Sequence, residues 1–416
     1  MKSAIYKTIK ECRICGSNNI KTFLELGNQP PANSLRSDPN EKLPLIPLSL
    51  CRCEKCTTIQ LTETVDPEFL FKHYLWVSGT SSVTKAYANL FHKQALDQFY
   101  YKKFFVVEVA SNDGTFLKKF KDDPSIRVLG VDPAENIAKI AIDNGIPTKV
   151  DFFGKKCANE IVKSEGTADF VFARNVIPHV SNVQDVIAGM KSCLDPEGVG
   201  AIEFHYAGEI VKGLQYDSIY HEHLFYLSLK SLFYLFQLYG LEPFDLVESP
   251  ISGGSLVVYL AHKNNKRQIK KGLKQKISEE KLLALDKEET WINFSRNCLA
   301  HKNLFIEIIN KYSVKGRIMI GYGASARSST LLNFCKINKD HLVCIADQNP
   351  LKHDKFTAGT DIPIVSPEKA FSMKPGAIVL LAWNFRTEIL ELIKNKYNFK
   401  GTVIVPLPNK PEVITI

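Results

Sequence analysis

Residues 104–109 read Phe-Phe-Val-Val-Glu-Val, a short apolar run that predicts a buried strand. The run passes directly into the small turn Ala110-Ser-Asn-Asp-Gly114, after which Thr115-Phe-Leu opens a helix. A second strand should end at Asp132 and be followed by a helix closed by Gly145. Residues 168–177 and 198–206 predict two further strands. Residues 263–300 read as a charged, largely helical connector. The strand–Gly turn–helix theme then returns at 317–334, with a strand ending at Asp347 and others at 377–385 and 401–408. Alternation of this kind indicates an α/β protein with open, mostly parallel sheets. The expected divisions are 1–85, 86–262, 263–300 and 301–416.

Composition narrows the class. The chain has 416 residues, 45% hydrophobic and 23% charged, which is a globular profile with room for more than one core. No stretch approaches 18 uninterrupted apolar residues, so no membrane span is expected. The opening MKSAIYKTIKECRICG has no apolar signal region, so a cytoplasmic location is expected. The net charge of +9 comes from lysines scattered along the chain. It suits an anionic substrate such as a nucleotide diphosphate and does not call for a nucleic-acid groove.

Five of the ten cysteines fall in the first 56 residues. Cys12-Arg-Ile-Cys15 and Cys53-Glu-Lys-Cys56 are two C-x2-C knuckles, the pattern of a tetrahedral thiolate site for one structural Zn2+. Four thiolates leave no open position for water, so the metal would stabilise rather than catalyse. Pro30, Pro31, Pro44 and Pro47 suggest an extended loop in the gap, and Cys51 fits a shared knuckle less well. The other five cysteines read as small buried residues.

In an open α/β sheet the ligand lies at the carboxyl ends of the strands. Glu108, the turn Ala110–Gly114 containing Asn112 and Asp113, and Asp132 would together form a nucleoside site, with Asp132 accepting from ribose hydroxyls. The turn lacks the G-x-G-x-x-G of dinucleotide binders and suits S-adenosylmethionine (SAM), whose amino-acid tail replaces the phosphates. Asp151 could reach the adenine amine, with Phe152 or Phe153 against the ring, and Asn175 ends a neighbouring strand. A second cluster gathers His179, His205 and Tyr206 with Tyr216, Asp217, Tyr220, His221, Glu222 and His223. A His supported by Glu and Tyr is a natural general base. The turn Gly321-Tyr322-Gly323-Ala-Ser325-Ala-Arg327 is compatible with phosphates at a helix N-terminus.

Over nearly its whole length the chain resembles the SAM-dependent sugar C-methyltransferases of deoxysugar biosynthesis. The resemblance rests on CRICGS with LGNQPPANSL and CEKC, VSGTSS, EVASNDGTFL, GVDPAENIA, ARNVIPHV, QYDSIYHEHLFYLSL, SPISGGSLVVY, GYGASARSSTLLNF and ADQNPLKHDKFTAGTDIPIVSP. Ala110 stands where the family often has Gly. The resemblance implies a zinc-binding N-terminal segment, a central Rossmann-like SAM methyltransferase domain and a C-terminal Rossmann-like nucleotide-binding domain. It implies a monomer acting on a nucleotide-linked 4-keto-6-deoxysugar, usually at C3, with dTDP as the common handle and GDP or CDP open. It implies His223 as base, Glu222 as the residue that orients it or as the alternative base, and Tyr220 and His179 near the sugar. It further implies sugar contacts from Tyr74 or Trp76 and nucleotide contacts from Tyr322, Ser325 and Arg327. Three other classes compete, one of them a non-catalytic nucleotide-sugar binding protein that would not bind SAM. An NAD-dependent oxidoreductase would use GYGASA but leaves the knuckles and the His-Glu-His run unexplained. A zinc-containing RNA base methyltransferase would carry an N/D-P-P-Y-type motif, where this chain has RNVIPHV.

Overall fold

The computed structural model describes residues 5–71, 78–80, 82–99, 104–313 and 316–416. Its centre is a seven-stranded sheet. Named in order across the sheet, the strands are Leu241–Ser249, Ser255–His262, Leu194–His205, Ala168–Arg174, Phe104–Val109, Ile126–Asp132 and Thr148–Val150. The five strands from Leu194–His205 to Thr148–Val150 are parallel. Ser255–His262 runs antiparallel to both of its neighbours. That reversed strand departs from the all-parallel order of a dinucleotide-binding sheet. The chain returns into it through Gly254, at φ 123°, where a Cβ would lie 2.8 Å from the Glu209 Cβ. Only glycine fits both the conformation and the space.

The strands are apolar on both faces because helices cover both. Val107 and Val109 pack on one side with Ile161, Val186 and Ile187 of helices Lys155–Glu165 and Val183–Cys193. Phe104 and Val106 face the other side, against Phe91, Phe116, Phe120, Phe170 and Phe172. Rings there meet at 5.1 Å for Phe91–Phe172 and 5.7 Å for Phe91–Phe116.

The gap between the two cysteine knuckles holds more than the expected extended loop. Ile20–Gln29 and Ile46–Cys53 form an antiparallel ribbon, and Ile59–Leu61 adds a third strand. The fourth strand is Phe225–Tyr226, from the His-Glu-His segment far along the chain. The C-terminal sheet has six strands, two more than the sequence suggests: Ile364–Val365, Ile345–Ala346, Met319–Tyr322, Ala377–Leu380, Thr402–Val405 and Glu412–Thr415. The first five are parallel and the last is antiparallel. The two extra strands escape the sequence pattern because one has only two residues and the other is largely exposed.

The connector is two helices, Lys271–Leu283 and Glu288–Tyr312. The expected boundary at residue 300 falls inside the second, whose buried stripe Trp291, Phe294, Cys298, His301, Phe305 and Ile309 continues without a break. Glu280 on the first helix accepts the Tyr206 hydroxyl at 2.9 Å and the backbone N–H groups of Leu229 and Lys230 at 2.6 and 2.9 Å. His301 bridges the Tyr216 hydroxyl at 2.9 Å and the Pro406 carbonyl at 2.7 Å.

Arg327 joins the C-terminal sheet to the central one. Its guanidinium donates to both carboxylate oxygens of Asp217, at 3.0 and 2.7 Å, and to Gln215 at 3.1 Å. It lies 4.7 Å from the Trp383 ring, whose Nε1–H donates to the same Asp217 at 2.7 Å. Removing one partner of a buried pair strands the other charge, at a cost of about 3–5 kcal/mol. Asp217→Ala should therefore lower the thermal unfolding midpoint by several degrees. Asp217→Asn, which can still accept from Trp383, should fall between it and wild type. An unchanged midpoint in Asp217→Ala would rule out a stabilising role for the clamp.

Candidate functional site

Each cysteine knuckle closes with a residue in the left-handed region, Gly16 at φ 66° and Thr57 at φ 60°. The N–H of each donates to the carbonyl of the first cysteine of its knuckle, at 2.9 Å in both cases. The two turns bring the Sγ atoms of Cys12, Cys15, Cys53 and Cys56 within 4.8 Å of one another. Cys12–Cys56 and Cys15–Cys53 are each 3.5 Å apart. A tetrahedral Zn2+ with bonds of about 2.3 Å needs sulfurs about 3.8 Å apart, so the donor set fits the metal after small shifts of the sulfurs. The Cys12 thiol is pulled down to about 5, mainly by its hydrogen bond with Cys56. Cys51 is buried on the strand that ends at Cys53, two residues before it, and is not part of the cluster.

At the carboxyl edge of the central sheet, Ala110, Asn112 and Gly114 all take positive φ, at 52°, 52° and 75°. The turn is therefore left-handed at three of five positions, with Ala110 carrying strain that Gly would avoid. Asp132 holds it: one carboxylate oxygen accepts from the Asn112 N–H at 2.8 Å, the other from the Ala134 N–H at 2.9 Å. Burial raises the Asp132 carboxyl above its ordinary range. Asn112 and Asp113 have a second task. Their side chains accept from the backbone N–H groups of Ser78 and Gly79, each at 2.9 Å, so the 78–80 segment is seated on the turn. Glu108 is buried beside the turn, and among the described residues its Oε2 has no hydrogen-bond partner. Burial holds its carboxyl well above the usual range, although the Arg174 charge opposes this. Asn175 ends its strand at φ 52°, its N–H bonded to the Glu203 carbonyl at 2.9 Å. Phe152 is 68% exposed, while Phe153 packs into the core and Asp151 lies 3.5 Å from Lys149.

The histidine cluster occupies the same edge, one strand over. His223 Nδ1 lies 3.0 Å from the Ser218 carbonyl, and its Nε2 lies 2.7 Å from the Tyr220 hydroxyl. A carbonyl only accepts, so the neutral ring carries its proton on Nδ1 and turns the Nε2 lone pair to Tyr220. His179 meets His223 edge to face, with centroids 4.8 Å apart. Burial lowers His223 well below the usual imidazole range, with the neighbouring His179, His205 and Arg327 adding to the shift. Burial also takes His179 down to about 4 and His205 down to about 3, the latter helped by Arg327. Glu222 moves the opposite way, to about 7, because burial penalises its charge while a hydrogen bond from Asn33 partly offsets that. His221 points away and bonds the carbonyls of Ile46 and Pro47 at 3.3 and 3.2 Å. Asn33 is the residue sequence reasoning missed. It lies inside the quoted LGNQPPANSL motif, but an amide in a proline-rich loop carries no chemical signal of its own.

The C-terminal turn is more fully engaged than its sequence suggests. Ser325 caps helix Ala326–Cys335, exchanging side chain–backbone hydrogen bonds with Ser328. The Ala324 N–H donates to Asp347 at 2.8 Å, and the Tyr322 hydroxyl lies 3.3 Å from Gln348 Nε2. Arg327 turns to Asp217. Tyr74 and Trp76 lie outside the described residues.

Three family models match the chain in succession: a zinc binding domain over residues 12–71, a methyltransferase domain over 87–246 and a C-methyltransferase C-terminal domain over 250–408. The chain is 31% identical to the C-methyltransferase NovU of Streptomyces niveus, over 99% of this chain and 98% of that one. The chain belongs to the C-methyltransferase family. Solved structures that match part of the chain include magnesium protoporphyrin IX methyltransferase ChlM from Synechocystis PCC 6803. It is 10% identical, covers 48% of this chain and 98% of its own, and has a TM-score of 0.36. YcgJ from Bacillus subtilis is 17% identical, covers 39% and 72%, and has a TM-score of 0.32.

As a C-methyltransferase the protein uses SAM, and the carboxyl edge fits that ligand. Glu108 Oε2, without a hydrogen-bond partner among the described residues, is a buried acceptor beside the turn, and Asp132 stands at the end of the next strand. The cysteine cluster is the zinc site of the family. Among the described residues no helix is long and apolar enough to cross a membrane.

Two outcomes follow for this C-methyltransferase. Cys56→Ser should cost bound zinc and thermal stability while the central sheet keeps its SAM affinity, because structural metal binding is folding energy. Metal analysis that finds no zinc in folded, unchelated protein would remove the site. Asp132→Ala should weaken SAM binding by about 1.5–3 kcal/mol, the range for a charged hydrogen bond. Zinc content and the thermal unfolding midpoint should stay near wild type. Loss of SAM binding matched by loss of zinc would mean that the substitution unfolds the protein.

Proposed function

We propose that this enzyme methylates the carbon next to the ketone of a nucleotide-linked 4-keto-6-deoxysugar, C3 foremost, with dTDP as the handle, in the cytoplasm. The observation that carries the reading is His223, neutral and buried at the SAM edge with a directed Nε2 lone pair. A C–H beside a ketone is acidic because the enolate places its charge on oxygen. His223 Nε2 takes the proton, and the C–H electron pair enters the enolate. As the sugar binds, the Tyr220 O–H would turn from Nε2 to the enolate oxygen, freeing the lone pair, and His179 would help to stabilise that oxygen. Bound SAM supplies an electrophilic methyl, to which the carbon bonds as the sulfonium C–S bond breaks. Glu222 compensates the imidazolium charge. Ser325, Tyr322 and Arg327 border the nucleotide in this reading, with Arg327 acting by way of the Asp217 clamp. Similarity to NovU supports the reaction class.

Glu222 as the base is a second reading, favoured by its carboxyl lying at about 7, where a base is best matched to neutral pH. In either role Glu222 works as the carboxylate, so kcat/KM should fall as pH drops through about 7, and Glu222→Gln should abolish that limb. His223→Asn should lower turnover about 10²–10⁴-fold with SAM affinity intact. Proton removal is read separately by binding dTDP-4-keto-6-deoxyglucose with S-adenosylhomocysteine in heavy water. Wild type should wash deuterium into C3, and His223→Asn should do so far more slowly. Exchange at the wild-type rate in that variant, but not in Glu222→Gln, would pass the role of base to Glu222.

A further inference from the structure

We propose that Asn33, on the zinc-bearing N-terminal unit, is a positioning residue whose side-chain amide orients the Glu222 carboxylate of the central domain. Its Nδ2 lies 2.6 Å from Glu222 Oε1, across 189 positions of sequence. Asn33 is itself exposed, whereas Glu222 is 6% exposed, so the amide caps a buried acid from the solvent side. The loop that carries Asn33 joins strands Ile20–Gln29 and Ile46–Cys53. Where that loop enters the second strand, the carbonyls of Ile46 and Pro47 hold His221. The loop and the start of the strand that follows it therefore grip two successive residues of the catalytic segment.

The charges around Glu222 leave this amide a decisive part. Thr64, Ser181, His179 and His221 line a small cavity with it. Burial lowers His179 to about 4, His221 below its ordinary range and His223 further still, so the three rings are neutral near pH 7. On the adjoining N-terminal strand and turn, Glu63 accepts from the Thr62 hydroxyl and Asp66 accepts from the Glu68 N–H. Burial raises Glu222, and the Asn33 hydrogen bond is the contact that opposes it. An amide N–H donated to a carboxylate favours the ionised form.

The inference rests on the reading of Glu222 as a working carboxylate, and the test separates the two. The pH profile of kcat/KM for dTDP-4-keto-6-deoxyglucose is measured in wild type, Asn33→Ala and Asn33→Asp. Loss of a charged hydrogen bond should move the acid limb up by about one to two pH units in Asn33→Ala. Asn33→Asp sets a second carboxyl against the first and should move it at least as far. Zinc content and SAM affinity should match wild type in both variants. A limb that stays in place, or a loss of activity matched by loss of zinc or of SAM binding, would overturn the proposal. Should wild type transfer no methyl to this sugar, the functional reading falls while Asn33 is still tested. Infrared titration of the Glu222 carboxylic-acid band, identified by its disappearance in Glu222→Gln, should show the same upward shift in Asn33→Ala. An unshifted band would overturn the proposal with or without turnover.

Discussion

Leu224 is bonded on both sides, and the site depends on that pairing. Its N–H donates to the Pro178 carbonyl of the central domain at 2.6 Å, while its carbonyl accepts from Leu61 of the zinc-bearing unit at 3.0 Å. The next two residues complete the N-terminal sheet as its edge strand. The segment carrying Tyr220, Glu222 and His223 is thus a strand of one unit and a wall of the other. Zinc is structural in its chemistry but acts on the site through this strand, because the cysteine cluster fixes the ribbon against which Phe225–Tyr226 pairs.

That arrangement buries polar groups, and their protonation follows from it. Histidines enclosed by apolar walls and by one another lose their charge, because a cation in low dielectric is disfavoured. An isolated carboxyl in the same enclosure is pushed toward neutral pH for the mirror-image reason. The site consequently holds neutral imidazoles beside an acid that titrates near pH 7, an arrangement suited to moving one proton. Each group retains a defined orientation because a backbone carbonyl or an amide fixes it.

The two parallel sheets share one device and use it differently. Asp132 is the last residue of the second strand of its sheet and Asp347 directly follows the second strand of its own; each accepts from the turn after the first strand and from the N–H two residues onward. In the central domain that acid lies near the buried Glu108, one oxygen of which has no partner among the described residues. In the C-terminal domain it is tied to Lys352, the helix is capped by its own serines, and the following arginine is drawn across to Asp217. Repetition of a fold element therefore does not repeat its chemistry, since the surrounding side chains decide which donors remain free.

Local pattern was enough to determine the central strands, the helix closed near Gly145, the paired cysteine knuckles and the acid at position 132. Each depends on neighbours a few residues apart: alternation, a turn residue or a fixed two-residue spacing. The family motifs extended this to the members of the His-Glu-His cluster. Tertiary structure alone decided that His221 faces away while His223 faces the edge, since that choice is made by the carbonyls of Ile46, Pro47 and Ser218. It decided that Arg327 is a clamp, because its partner lies 110 positions earlier. It also brought an unremarkable amide at position 33 onto Glu222. Contacts between distant positions leave no periodicity in the chain, and they come into being only when separate sheets pack and bury the groups between them.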